Sequence, residues 1–410
     1  MPQDRLRLLL EEQLREFGDS GRLKGEESVV RKILPARGEQ GPRLLLEGEG
    51  TREFIRMNSN GYLGMSLRRE VIEAEENGAR DFGTGPGAVR FISGTSRLHV
   101  ALERRLAAFH QREAGMIFSS AYAATLGILP SLITTDTAVI SDALNHSCII
   151  NAIKLSRPKR KAVYAHLDMF QLESVLQQAR GECRRVLLVT DGVFSMRGDH
   201  APLPEIVALA RKYDNEFPEN VIVVVDDSHG VGAFGLTGRG TEEYTECEGV
   251  DLLIATLGKA LGVNGGYAVG DAKVMQYLRE SAPLYIYSNP ITPAEAAASL
   301  RALELLDSET GLALLAHLRE MTKKFEQGLT RLGFETIPGD HPVVPLMVRD
   351  TAATSVLVAY LKANGILATG LNFPVVPKGD EEIRFQVSAE HTSKDIDLTL
   401  EVLEKFSQTH

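Results

Sequence analysis

The stretch VIVVVDDSHGVG, residues 221–232, decides the architecture. Five β-branched residues run unbroken from Val221 to Val225, and two acids, Asp226 and Asp227, close the run. A strand with one wet face alternates apolar and polar residues. An unbroken run of this kind belongs to a strand covered on both faces, as in the middle of a parallel sheet. Carboxylates at the end of such a strand stand where open α/β sheets bind their ligands.

Working outward, short apolar runs at 138–141, 162–164, 186–190 and 252–256 read as further buried strands. Helical patterns at 145–156, 169–179, 203–213 and 272–280 intervene. Strands alternating with helices predict a mostly parallel sheet with crossovers. After Pro293 the pattern changes to helices at 294–306, 312–332 and 351–364, strands near 343–348, 366–369 and 383–387, and a last helix from Ser393. The organisation expected is an N-terminal helix and arm over 1–53, a large α/β domain over 54–292 and a smaller α+β domain over 293–410.

The bulk numbers narrow the function. The chain has 410 residues, 43% of them hydrophobic and 24% charged, which is ordinary for a soluble globular protein. Its net charge of −10 argues against nucleic acid or an anionic membrane as partner. Leu6, Leu9, Leu10 and Leu14 give the N-terminus an amphipathic helical face, too short in apolar run for a signal peptide or a membrane span. Cys148, Cys183 and Cys247 are odd in number and lack C-x-x-C spacing, so neither a disulfide framework nor a metal site is expected, and a cytoplasmic location fits.

Several residues could carry chemistry. Lys259 follows an apolar run and sits among glycines in ATLGKALG, where a desolvated amine can serve as a Schiff-base lysine. Thr256 could place a hydroxyl on a phosphate. Asp226 is costly at a buried strand end unless paired, and a protonated pyridine nitrogen would pair it. His229, on the next turn, could reach a phenolic oxygen of the same ring. His146, in ISDALNHSCII, could stack on that ring or move protons. In FSSAYAATLGIL, Ser120 is a good N-cap, and the amides of Ala121 and Tyr122 would then face an anion. Ser195 could touch a cofactor, Arg384 could fork onto a carboxylate, and Asn60 could face a substrate. Each has a bland alternative in a local turn, a cap or a surface ion pair. Together they supply every part of a pyridoxal 5'-phosphate (PLP) site.

The stretches NSNGYLG (58–64), GAVRFISGT (87–95), ISDALNHSCIINAIKLS (140–156), TDGVFSMRGD (190–199), VVVDDSHGVGAFGLTGRG (223–240), ATLGKALG (255–262), YSNPITPA (287–294) and PVVPKGDEEIRFQVSAEHT (374–392) occur in that order. In this series the chain resembles the α-oxoamine synthase family of fold-type-I PLP-dependent transferases. The resemblance implies an α/β fold with a large, mostly parallel mixed sheet and a smaller C-terminal α+β domain. It implies that Lys259 carries the cofactor and moves the Cα proton, that His146 stacks on the ring, and that Asp226 pairs its nitrogen while His229 lies near its phenolic oxygen. Ser195 and Thr256 match cofactor-contacting hydroxyls. Arg384 matches the binder of the amino-acid carboxylate, and Asn60 an asparagine facing the substrate. Members work as homodimers with sites at the subunit interface, and Ser288 and Asn289 fall in the segment lent to the partner's phosphate.

The branch it most resembles joins glycine to acetyl-CoA and releases a 2-amino-3-oxo acid. A longer acyl-CoA or a carrier-bound acyl group, with decarboxylation, is the alternative within the family. A non-catalytic partner subunit and an aminotransferase are readings of other classes. The glycine run GVNGGY, the DNEFPEN loop and the first fifty residues depart from the family pattern, and they bear on the acyl donor rather than on the amino-acid chemistry.

Overall fold

The structure, a computed structural model, describes residues 3–20, 23, 26–373 and 375–409. Pro374, which opens the PVVPKG stretch, lies outside them, as do Met1 and Pro2 ahead of the N-terminal helix. The chain forms two compact units. The larger comprises residues 60–322 with 339–342, and the smaller comprises 1–59, 323–338 and 343–410.

The larger unit is built on a seven-stranded sheet. Its strands are β1 (Ala114–Phe118), β2 (Thr137–Asp142), β3 (Arg160–Tyr164), β4 (Arg185–Asp191), β5 (Val221–Asp226), β6 (Leu252–Thr256) and β7 (Gly266–Gly270). They lie in the order β1-β7-β6-β5-β4-β2-β3. The run β6-β5-β4-β2-β3 is parallel, while β7 is antiparallel to both its neighbours. The sheet is therefore mixed and mostly parallel, as expected.

The β-branched run of β5 sits fourth of seven and is buried on both faces. Val223 and Val225 join the core under helices Met169–Ala179 and Leu203–Tyr213. Val224 points the other way, into the core shared by helices Ala121–Leu132, Ser147–Leu155 and Ala272–Ser281. Period-two alternation thus feeds two cores instead of one core and water. The helix Pro293–Leu306 also belongs to the larger unit, packed on Arg69–Phe82 and Arg97–Phe109 through a face that includes Ala296, Ala298, Ala302 and Leu303.

Two strands of this sheet escaped the sequence reading. AGMIF and GYAVG form β1 and β7, the antiparallel part of the sheet. Their glycines hide the strand signal, and at Gly266 the reason is steric. A Cβ there would run into the backbone of Ser120 and the Ala121 amide nitrogen. Only glycine lets the strand pass beneath the start of the next helix.

In the smaller unit, Val343–Met347, Thr369–Leu371 and Glu382–Gln386 form an antiparallel sheet with Glu382–Gln386 in the middle. Ile55–Arg56 pairs in parallel with Ile366–Leu367, which places residues 54–59 with this unit. Arg43 and Asp395 make a buried ion pair. The N-terminal helix Asp4–Asp19 forms as expected and has no buried residue. Among the described residues no helix is long and apolar enough to cross a membrane.

Candidate active site

The carboxyl ends of β1, β2, β4, β5 and β6 all point to one edge of the sheet, and the residues that follow them converge there. They line a cavity of about 240 Å³ bounded by Ser120, Ala121, Tyr122, His146, Ser195, Asp226, His229, Thr256 and Lys259, together with Cys148, Asp191, Val193 and Ser228. Ser288 and Asn289 do not line it, nor does Asn60, whose carbonyl accepts the Tyr62 N–H at 2.9 Å. Arg384 lies in the smaller unit, half-buried on the central strand opposite Pro345 and Thr369.

One wall is a helix start. Ser120 caps Ala121–Leu132 by accepting the Ala123 N–H at 3.0 Å. The amides of Ala121 and Tyr122 are the first of the helix and have no intrahelical acceptor. Their dipoles and the positive end of the helix favour an anion. Across from it, Thr256 ends β6. Its hydroxyl donates to the Gly265 carbonyl at 3.1 Å and accepts the Gly258 N–H at 3.0 Å, so it fastens the turn that presents Lys259.

The floor is acidic. Asp226 is buried, with one carboxylate oxygen accepting the Ser228 N–H at 3.1 Å. The other lies 3.4 Å from the Thr125 hydroxyl and 3.5 Å from the Cys148 thiol. These three donors are neutral, and a buried carboxylate favours a cation beside it. Burial, with Asp226 adding to it, pushes the Cys148 thiol up, so it is a neutral donor and not a nucleophile. Asp191, one strand over, accepts the His146 backbone N–H at 2.9 Å. Burial and then the Asp226 charge hold its carboxyl well above the usual range.

Two histidines complete the pocket. His146 caps Ser147–Leu155 through Nδ1, which accepts the Cys148 N–H at 3.3 Å. Although the residue is exposed at the pocket mouth, protein atoms packed around its ring displace water and lower its pKa. Lys259 lowers it further and Asp226 opposes the change. A neutral imidazole with Nδ1 accepting carries its proton on Nε2. His229 is buried, and its Nδ1 lies 2.8 Å from the Tyr62 hydroxyl.

Sequence reading brought Ser120 to Lys259 to one place but missed Asp191, Cys148 and Tyr62. Asp191 carried a usable signal, since TD ends a buried run as Asp226 does. Tyr62 carried none, because it lies 167 residues from His229 in the chain. The second acid of the pair, Asp227, turns away from the pocket and is bonded to Thr241.

The residues present fit PLP: helix amides and Thr256 for a phosphate, Asp226 for a ring nitrogen that brings a proton, and Lys259 for the aldehyde carbon. The comparisons with known proteins agree. The family model for aminotransferase class I and II matches residues 52–403. The 8-amino-7-oxononanoate synthase of Exiguobacterium sibiricum is 40% identical over 93% of this chain and 94% of its own. The mitochondrial 2-amino-3-ketobutyrate coenzyme A ligase of Bos taurus is 38% identical over 99% of this chain and 93% of its own. Among solved structures, Sphingomonas wittichii serine palmitoyltransferase superposes with a TM-score of 0.86 at 26% identity, over 99% of this chain and 98% of that one. A high-resolution structure of SPT with PLP superposes with a TM-score of 0.84, again at 26% identity and over 99% and 98%.

Proposed function

We propose that this chain, which belongs to the α-oxoamine synthase family of PLP-dependent enzymes, joins glycine to acetyl-CoA, giving 2-amino-3-oxobutyrate and free CoA. The observation that carries the chemistry is Lys259 and Asp226 lining one cavity with a capped helix start. The substrate choice leans on the stretches SDALNH, GVFSM and DDSHGVG, and a ligase is among the relatives matched.

Bound PLP supplies an electron sink for the pair left when the Cα–H bond of the amino acid breaks. The other parts of the work fall to the chain. Lys259 takes the Cα proton on Nζ. Asp226 keeps a proton on the ring nitrogen by its charge. His146 offers Nε2–H to the oxygen of the acyl carbonyl as it gains negative charge. A C–C bond forms at the acyl carbon, the C–S bond breaks, and the thiol leaves with a proton. Arg384 keeps its proposed role as binder of the amino-acid carboxylate, and Ser195 that of a cofactor contact.

A longer acyl donor is the second reading, favoured by the 40% identity to 8-amino-7-oxononanoate synthase. Free-thiol release by PLP-loaded protein with glycine separates the two. Fast release with acetyl-CoA and slow release with longer acyl-CoAs supports the first. The reverse moves the chain to the other branch, and amino transfer to a keto acid without thiol release would overturn both.

A further inference from the structure

We infer that Tyr62 is a positioning residue that sets the tautomer of His229, and with it the proton that His229 presents to the pocket. The inference rests on the PLP reading of that pocket and adds a residue to it.

Tyr62 is fully buried, and its backbone is pinned by a tight turn. Its own N–H donates to Asn60 O at 2.9 Å, and the Gly64 N–H donates to Gly61 O at 3.0 Å. The ring is wedged edge-on against His341, with centroids 5.4 Å apart and planes at 82°. From that fixed place the hydroxyl reaches His229 Nδ1 at 2.8 Å.

His229 is held twice. His341 Nε2 lies 2.9 Å from the His229 carbonyl, which only accepts, so His341 donates and fixes the backbone of the turn. Tyr62 fixes the ring. A phenol ionises near pH 10, so at neutral pH it has a proton to place, and a buried hydroxyl needs an acceptor for it. Nδ1 lies 2.8 Å from the hydroxyl and, in this inference, is that acceptor. The imidazole proton is then on Nε2, the other ring nitrogen, which makes His229 a hydrogen-bond donor toward the pocket. This is the logic by which a hydrogen bond at one ring nitrogen decides what the other can do. A phenolic oxygen on the cofactor ring is an acceptor and suits a donor of this kind.

The test uses Tyr62→Phe, which deletes the hydroxyl and keeps the ring against His341. The first readout needs no cofactor. In apoprotein labelled with ¹⁵N-histidine, His229 should show an unprotonated Nδ1 and a protonated Nε2 near pH 7.5, its signals assigned with His229→Gln. In Tyr62→Phe they should become those of a tautomer mixture. A protonated Nδ1 in the wild type, or an unchanged spectrum in the variant, overturns the inference. The wild-type spectrum decides the matter even if the variant fails to fold.

With PLP bound, the pH midpoint of the visible cofactor band should move by at least about half a unit in Tyr62→Phe. The kcat for thiol release should fall about tenfold, with the glycine KM changed less than about twofold. A residue that merely packs would lower the melting temperature and leave the band midpoint in place. If the NMR result holds while thiol release with glycine is absent in both proteins, the substrate reading fails and the Tyr62 inference stands.

Discussion

Asp191 and Asp226 are register partners on β4 and β5, so two carboxyl groups stand side by side at the floor of the pocket. Like charges at that spacing in a buried site disfavour double ionisation. Burial first and Asp226 second raise the pKa of Asp191, which favours the proton of the pair there.

This division of labour predicts unequal isosteric variants. Asp191→Asn replaces a neutral carboxyl by a neutral amide whose oxygen can still accept the His146 N–H. Thiol release should stay within about threefold of wild type. Asp226→Asn removes the charge opposite the ring nitrogen, and kcat should fall at least about a hundredfold with a shifted cofactor band. Equal losses in the two would show that Asp191 is ionised.

The helix start that faces an anion depends on a strand beneath it. Gly266→Ala would drive a Cβ into Ser120 and the Ala121 amide. The expected result is a PLP dissociation constant raised at least about tenfold, measured by quenching of protein fluorescence. A drop in apoprotein stability with unchanged PLP affinity would mean that the amides of Ala121 and Tyr122 do not hold the phosphate.

His166 should act as a pH-dependent clamp. Its Nδ1 lies 2.9 Å from Asp142 and its Nε2 3.2 Å from Asp199, so both nitrogens donate and the ring is a cation. Burial works against that charge, but the bonds to Asp142 and Asp199 win and lift the pKa to about 9. Arg197 also bonds Asp199, at 2.9 Å, in the loop that carries Ser195. Because the folded pKa is raised above 6.5, the stabilisation is full below pH 6.5 and fades as pH rises through about 9. His166→Gln should therefore cost about 1–2 kcal/mol at pH 6, after allowance for solvent screening. It should cost little at pH 10. A constant penalty across that range in urea titrations would refute the clamp.

The residues show what made this fold and site readable. Val221–Val225 announced a central strand because β-branched side chains suit a strand covered on both faces, and Asp226, His146 and Lys259 were readable because each follows an apolar run. The strands AGMIF and GYAVG were silent because their glycines serve close packing, a demand set by Ser120 and Ala121 far off in the chain. Tyr62 and Cys148 were silent for a related reason: their side-chain partners, His229 and Asp226, lie far off in the chain. The change of pattern at Pro293 predicts a domain boundary there, whereas the alanine-rich helix Pro293–Leu306 packs on helices of the larger unit.

The two acids of DDSH separate by role, and pH should expose the second. Asp227 is wholly buried, and its carboxyl accepts the Thr241 N–H at 2.7 Å and the Thr241 hydroxyl at 2.6 Å. A Cβ on Gly192, Gly230 or Gly240 would collide with it, so nothing larger fits around the group. Burial pushes its pKa up to about 7, against the pull of Thr241. Between pH 3.8 and about 7 the folded chain therefore holds a proton that the unfolded chain has lost, and stability must fall as pH rises through that window. Asp227→Asn keeps the shape and removes the titration. From pH 5 to pH 8 the wild type should lose about 3 kcal/mol relative to the variant, read from urea midpoints at fixed protein and PLP concentration. A difference that stays flat with pH would mean that Thr241 keeps Asp227 ionised throughout, and that burial does not govern this carboxyl.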